Sequence, residues 1–425
     1  MGRHRGARHG ARHPARRPAE DLRPVLHDEA SGGGQRPRPE RLLRDRRGAQ
    51  GPAARREPSR RRRRLRDRAA ARHARRLSPS VVRHATTLLI VAWLLAGCAG
   101  VGGPVPGAPA HHRQNGFANV EPGYAPASGW VRWRFFVRRV LASTFAPRAA
   151  NLPVVPNDGA TLRRNRGEAT VTWVGHATLL VQVDGVNLLT DPQWSDRASP
   201  VSWAGPRRVT PPGLRFEDLP PIHLVLISHD HYDHLDVATV RRLAGTHRPR
   251  FLVPLGLGAW FADLGIADVV ELDWWQERTE RGLTITCVPA QHFSGRTPWD
   301  RNRRLWSGWT VQGRDRRLFF AGDTAYFSVF TEIGRRLGPF DLAAIPIGAY
   351  LPPEIMRPSH TTPEEALQVF EDVRGRRFVP IHWGTFDLAD EPIEEPPRRL
   401  SAEARRRGLA EDRVWILRHG ETRSW

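Results

Sequence analysis

Ser228-His229-Asp230-His231-Tyr232-Asp233-His234-Leu235-Asp236 is the stretch on which the reading of this 425-residue chain turns. Three imidazoles and three carboxylates stand within eight residues. Crowded together they would desolvate and repel one another unless they shared a cation. Imidazole nitrogen and carboxylate oxygen are ligands that suit zinc. The preceding Ile222–Ile227 is apolar and β-branched and predicts a strand, which makes the cluster a loop at a strand's carboxyl end. The alternating spacing of His229 and His231 aims both the same way, while Asp233 and His234 turn toward a neighbouring position. A lone histidine is usually structural; this cluster reads as a metal site.

One loop cannot close two metal positions, so further ligands are expected at other strand ends. Three residues stand in that setting: His292 after Thr284–Pro289, Asp323 after Leu318–Gly322, and His382 after Val379-Pro380-Ile381. Taken singly, each also reads as a hydrogen-bonded strand-end residue. His176 reads as a brace of a strand edge rather than a ligand, Asp191 as structural or supporting, and Cys287 as a small core residue.

The folded unit is expected to begin near Glu168. Apolar, β-branched runs bounded by Gly, Pro or Asp predict strands at Ala169–Val174, Val186–Thr190, Ile222–Ile227, Phe251–Pro254, Leu283–Pro289, Trp306–Val311, Arg317–Ala321, Leu342–Ile347 and Phe378–Ile381. Helices are predicted at Val237–Ala244, Pro363–Val373 and around Ser401–Arg407. The second opens Thr362-Pro363-Glu364-Glu365, with a Thr cap, Pro at the first helical position and Glu at the third.

The pattern His-x-His-x-Asp-His, followed by His, Asp and His on later strands, resembles that of the metallo-β-lactamase fold. Longer strings are similar to one branch, N-acyl-phosphatidylethanolamine-hydrolysing phospholipase D. They are Thr172-Trp173-Val174-Gly175-His176-Ala177-Thr178, Thr190-Asp191-Pro192, Phe340–Tyr350 and Ile381-His382-Trp383-Gly384-Thr385-Phe386. The resemblance implies an α/β fold, an αββα sandwich of two packed mixed sheets with outer helices, over residues 168–425. It implies two zinc ions, though iron or manganese can use similar ligands. One would be held by His229, His231 and His292, the other by Asp233, His234 and His382, with Asp323 bridging. A metal-bridging hydroxide would then cleave a phospholipid phosphodiester into N-acylethanolamine and phosphatidic acid, with Asp233 orienting it or passing its proton. The resemblance also implies that His360 approaches the substrate head group. Ser359 before it stands where that family usually carries Gln, a departure that bears on head-group preference. A related two-metal hydrolase acting on another substrate, such as a sugar-phosphate lactone, is the rival enzyme reading.

The net charge of +22 first suggests a nucleic-acid binder. However, 25 of the basic residues and only 8 of the acids lie in residues 1–80, and no Lys occurs anywhere. That segment lacks Phe, Trp, Tyr and Ile, so it cannot build a core and reads as disordered. It is either a basic arm for nucleic acid or anionic lipid, a plain tail, or an over-extended start of translation, the reading preferred here. The next segment supports that preference. Residues 81–98 combine Arg83-His84, the apolar Ala85–Ala96 and the ending Leu95-Ala96-Gly97-Cys98, which resembles the lipobox of bacterial lipoproteins. Lipidated Cys98 would anchor the protein to a membrane facing the periplasm or cell exterior; without use of the signal it would be cytoplasmic. The nucleic-acid reading falls with removal of the arm.

Residues 99–167 read as a Pro/Gly-rich linker carrying one amphipathic helix over 130–141. Its apolar face gathers Trp130, Trp133, Phe136, Val137, Val140 and Leu141, its opposite face Arg132, Arg134, Arg138 and Arg139. Such a helix can lie in a lipid interface or pack its apolar face on the following domain, and the second is preferred.

Overall fold

The computed structural model describes residues 101–146, 148 and 150–425. The Arg-rich segment 1–80, the signal-like segment 81–98 and Cys98 lie outside the described residues. A two-strand hairpin, β1 (His112–Arg113) and β2 (Gly116–Phe117), leads into helices α1 (Gly129–Phe145) and α2 (Ala160–Arg164). Strands β3 (Thr170–Gly175), β4 (Thr178–Val183), β5 (Val186–Thr190) and β6 (Leu224–Leu226) follow, then α3 (Val237–Thr246), β7 (Arg250–Pro254), α4 (Gly258–Asp263) and β8 (Val269–Leu272). Next come β9 (Glu277–Glu280), β10 (Leu283–Val288), β11 (Gly308–Gln312), β12 (Arg317–Phe320), α5 (Val329–Leu337) and β13 (Phe340–Pro346). The chain continues through α6 (Pro353–Met356), α7 (Pro363–Asp372), β14 (Gly375–Ile381), α8 (Glu395–Arg406) and β15 (Thr422–Ser424).

The strands form one seven-stranded sheet in the order β15-β3-β4-β5-β6-β7-β8 and one six-stranded sheet in the order β14-β13-β12-β11-β10-β9. Both are mixed. In the first, β5 through β8 run parallel and β15 through β5 antiparallel. In the second, β12, β13 and β14 are parallel and the rest antiparallel. The parallel pairs are those that need a crossover, and helices supply it: α3 between β6 and β7, α7 between β13 and β14.

Strand β6 shows why its run is apolar throughout. Leu224 and Leu226 join the core between the sheets, with Trp173, Leu188, Ile285, Trp309 and Leu342. Val225 and Ile227 point the other way and pack with Val240 and Leu243 of α3 and Phe261 of α4. A strand buried on both faces has no polar face to show. On the far side, Phe330 of α5 meets Phe319 and Phe370 of α7 meets Phe378, at ring separations of 6.3 and 5.5 Å. The layers are therefore helix, sheet, sheet, helix, the αββα arrangement expected. Helix α7 carries the expected capping box, Thr362 and Glu365 exchanging side-chain and backbone bonds.

Several expectations need correction. Residues 101–128, linker-like in composition, are laid against the domain: β1 and β2 pair with each other, and Phe117 joins the main core. The order comes from side chains bonding to backbone, described below, rather than from apolar content. Helix α1 does not pack the face gathered around its aromatic residues. Its buried residues are Arg139 and Ser143, while Trp130, Leu141 and Phe145 are 55%, 52% and 80% exposed. Asp387 draws the helix down, accepting from the guanidiniums of Arg139 in α1 and of Arg148 just beyond its end. Strands β4, β8, β9 and β15 and helices α2, α4, α5 and α6 were not foreseen; β9 reads Glu-Arg-Thr-Glu and β15 Thr-Arg-Ser, exposed edges without an apolar signature. Helix α8 starts at Glu395 rather than Ser401, because Pro396 and Pro397 fall in its first turn, where no backbone donor is needed. Among the described residues no helix is long and apolar enough to cross a membrane.

Candidate metal centre

Every candidate ligand arrives from the carboxyl end of a strand: His176 after β3, the 228–236 loop after β6, His292 after β10, Asp323 after β12 and His382 after β14. The loops approach one another closely. Gly322 has φ +60°, and a Cβ there would lie 2.6 Å from the Ser228 Cβ and 2.8 Å from the Ser307 carbonyl oxygen. Glycine is required at that contact both for the left-handed backbone and for the space.

The structure brings all seven sequence-selected ligands together, in two lobes. In the first, His231 Nδ1 lies 2.9 Å from His229 Nε2 and 3.2 Å from His292 Nε2. In the second, Asp233 Oδ2 lies 3.3 Å from His234 Nε2 and 3.4 Å from His382 Nε2. Asp323 stands between: its Oδ2 is 3.2 and 3.1 Å from His234 and His382 Nε2, and 3.8 and 4.0 Å from His292 and His229 Nε2. His176 was not expected here, yet its Nε2 lies 2.9 Å from Asp233 Oδ2 and its ring 4.2 Å from that of His382. It adjoins the second lobe, and its place directly after β3 was the available signal.

Supporting bonds set the tautomers. His229 Nδ1–H donates to Ser228 Oγ (2.8 Å), which donates to Asp191 Oδ2 (2.6 Å). His234 Nδ1–H donates to the same Asp191 oxygen (2.7 Å), and the Ser228 amide donates to the other (2.7 Å). His292 Nδ1–H donates to the Ser359 carbonyl (2.8 Å). With Nδ1 spent as donor, each Nε2 presents a lone pair inward. Ser359, expected at the substrate, thus acts on His292 through its main chain. Asp230 turns out of the cluster, accepting from Arg304 (2.8 Å) and the Gly295 amide (2.7 Å), and Asp236 caps α3. His360 Nδ1 lies 3.8 Å from Asp323 Oδ2, its side chain 12% exposed.

Electrostatics follow from burial and crowding. Burial, then neighbouring imidazoles, push His229 and His292 well below the usual histidine range, so both are neutral. Burial opposes ionisation of Asp233 and Asp323, but His234 and His382 overcome it and hold both carboxylates well below their usual range. The same carboxylates overcome burial to pull His382 up to about 9 and His234 well above its ordinary value. Burial pushes His176 down to about 3 and His360 down to about 4.

The donor set fits a pair of divalent cations. His234 Nε2, His382 Nε2 and Asp323 Oδ1 are buried without a hydrogen-bond partner, a deficit of about 1–3 kcal/mol each if nothing else satisfies them. His229, His231 and His292 form one group with metal-ligating separations, and His176, Asp233, His234 and His382 another. A divalent cation competes for the same lone pairs as the protons on His234 and His382 and so displaces them.

One participant had no sequence cue because it lies in the linker-like stretch. The Asn119 amide brackets His292: Nδ2 donates to its carbonyl (2.9 Å), while Oδ1 accepts its N–H (3.2 Å) and Trp306 Nε1–H (3.0 Å). Asn119→Ala is expected to weaken metal binding about 10–100-fold, the usual effect of losing a group that orients a ligand. Competition with a chromophoric chelator measures it; unchanged affinity would remove Asn119 from the site.

Residues 186–383 match the family described as the Beta-lactamase superfamily domain. A possible metal-dependent hydrolase from Veillonella parvula superposes over 61% of this chain and 100% of its own, with a TM-score of 0.50 at 15% identity, a likeness of fold. An uncharacterised protein of Mycobacterium tuberculosis is 44% identical over 304 residues, 69% of this chain and 79% of the relative. N-acyl-phosphatidylethanolamine-hydrolysing phospholipase D 1 of Caenorhabditis elegans is 49% identical over 238 residues, 53% of this chain and 67% of the relative. The mitochondrial enzyme of the same name from Saccharomyces cerevisiae is 33% identical over 258 residues, 59% of this chain and 55% of the relative. Identity of this depth across most of a relative's length places the chain in the β-lactamase-fold family of metal-dependent hydrolases, with N-acyl-phosphatidylethanolamine-hydrolysing phospholipase D among its homologues.

Proposed function

We propose that the protein is a phospholipase D-type phosphodiesterase that hydrolyses N-acyl-phosphatidylethanolamine-like phospholipids to N-acylethanolamine and phosphatidic acid. The observation that carries this reading is the two-lobed His/Asp centre in a chain 49% identical to a relative bearing that activity in its name. Zinc is the cation proposed, held by His229, His231 and His292 in one lobe and Asp233, His234 and His382 in the other, with Asp323 shared.

Two such cations, when bound, supply a low-pKa water and offset the charge gathering on a phosphodiester in its transition state. Asp233, ionised throughout the neutral range, holds the attacking water and takes its proton. His360, neutral at pH 7, donates a hydrogen bond to the ethanolamine oxygen as its bond to phosphorus breaks, and the proton taken by Asp233 ends on that oxygen as the N-acylethanolamine hydroxyl. The oxygen delivered by water stays on phosphorus, giving phosphatidic acid. The near-complete burial of His229, His292 and Asp323 keeps bulk water from competing at these positions.

A lipid surface suits helix α1. Trp130, Leu141 and Phe145 face outward beside the exposed Arg134, the combination that seats a helix in a headgroup layer. With Cys98 as lipidated anchor, the proposed location is the membrane surface on the periplasmic or outer side. Metal-loaded protein assayed on N-acyl-phosphatidylethanolamine vesicles is expected to release phosphatidic acid and N-acylethanolamine in equal amounts, chelator abolishing both. Opening of a sugar-phosphate lactone without release of phosphatidic acid would sink the proposal.

A further inference from the structure

Hairpin β1–β2 carries a second group of ligating atoms, outside the centre described above. His111 Nε2 lies 2.6 Å from Asp273 Oδ1 and His112 Nε2 lies 2.8 Å from Asp273 Oδ2. The three residues have the separations of a metal-ligating set. We infer that His111, His112 and Asp273 form a third metal site, for one divalent transition-metal ion of the zinc class, that clamps the 101–128 segment to the domain.

Three observations carry this. First, vicinal residues of a strand point to opposite faces, yet both imidazoles meet one carboxylate. His111 lies in the turn before β1 and His112 is the first residue of the strand, and this junction converges the two Nε2 atoms. Second, the rings are locked. His111 stacks on Trp274 at 4.2 Å and 30°, and His112 meets Phe117 edge-on at 5.2 Å and 80°. Asp273 is held by its own loop, its amide donating to Gln276 Oε1 (2.9 Å) and its Oδ1 accepting from the Trp274 amide (2.7 Å). Such preorganisation is what a ligand set requires. Third, the residue type is informative. This chain contains no Lys and uses Arg to fasten its other segments, as Arg139 and Arg148 do on Asp387. Arginine stays charged and would serve a plain ion pair better; imidazole adds a lone pair that arginine lacks. The side chains of His111 and Asp273 are 6% and 10% exposed and that of His112 is 25% exposed, which leaves one open side for entry and for water as a further ligand.

The ion would act at a distance on the hydrolytic centre. The segment it clamps runs on to Asn119, which brackets His292, and to Glu121, whose carbonyl accepts from Gln291 (3.1 Å).

Full-length protein stripped by chelation and reloaded by dialysis against zinc tests the inference by elemental analysis. His112→Gln keeps an N–H donor where Nε2 stood, so the hydrogen bond to Asp273 and the fold are expected to persist, while the metal-ligating lone pair is lost. The expected result is one zinc equivalent fewer per chain than wild type, with an unchanged circular dichroism spectrum. Should that variant fail to fold, Asp273→Asn is read the same way. A zinc content equal to wild type in the folded variant overturns the site and leaves a hydrogen-bonded clamp alone. The readout is a difference in metal count, so it stands or falls separately from the phospholipid assay.

Discussion

Asp323→Ala is expected to lower hydrolysis about 10³-fold or more, a loss of about 4 kcal/mol in transition-state stabilisation at about 1.4 kcal/mol per decade. Asp323 is the side chain within reach of both lobes, with imidazole nitrogens of His234, His382, His292 and His229 between 3.1 and 4.0 Å from its Oδ2. Removing it takes away the one anion shared by the two lobes, leaving only histidines in the first and Asp233 as the sole carboxylate in the second, and would free the two cations to drift apart. Asp323→Asn keeps the volume and an oxygen, so a comparable loss there isolates the charge. Metal analysis and kcat/KM on the same preparations check this, and retained activity with full metal content would refute the shared role. The protonation balance gives a second reading of the same centre. Because Asp323 and Asp233 raise His382 to about 9 and His234 well above its ordinary value, both imidazoles carry protons at pH 7 before metal enters. Their folded-state values are raised, so the charged form dominates below them, and metal uptake at pH 7 is expected to release protons. Calorimetry in buffers of different ionisation enthalpy measures that release; in Asp323→Ala it is expected to shrink.

Asp387→Ala is expected to destabilise the fold by about 3 kcal/mol, the lower end of what removing one partner of a buried pair costs. The Asp387 side chain is 2% exposed and accepts from Arg139, itself 10% exposed at the side chain, and from Arg148. Two circumstances keep the effect from being larger. Arg139 retains the Asp387 carbonyl (2.8 Å) and Asp390 (3.8 Å), and Arg148 is 35% exposed, so water takes over part of its solvation. Denaturant unfolding with an unchanged m-value is the measurement; a loss under about 1 kcal/mol would show that the ion pair merely decorates α1. The consequence reaches function, because this attachment by arginine is what turns the aromatic side of α1 outward.

The residues that gather at the candidate centre were legible because a metal ligand needs a particular residue type at a strand end, and both requirements leave a mark in sequence. His229, His231, Asp233 and His234 announce themselves by density; His292, Asp323 and His382 by following apolar runs that fold as β10, β12 and β14. The orientation of α1 was not legible. Periodicity gives two faces, but the choice of buried face was made by Asp387, 248 residues away from Arg139. The 101–128 segment misled for a related reason: its composition offers little apolar surface, and its order rests on single polar side chains such as Asn119, whose partners His292 and Trp306 lie 173 and 187 residues on. Edge strands β9 and β15 escaped because an exposed strand carries charge instead of an apolar stripe.

Asp191 links the two lobes through one carboxylate. Through Ser228 Oγ it fixes His229 in the first lobe, and directly it fixes His234 in the second. The two halves therefore share a hinge pin: ordering either one restrains the other before its own ion arrives. Loading is therefore expected to be cooperative, the first ion raising affinity for the next, so that partly filled protein would be the minority species at intermediate metal concentrations.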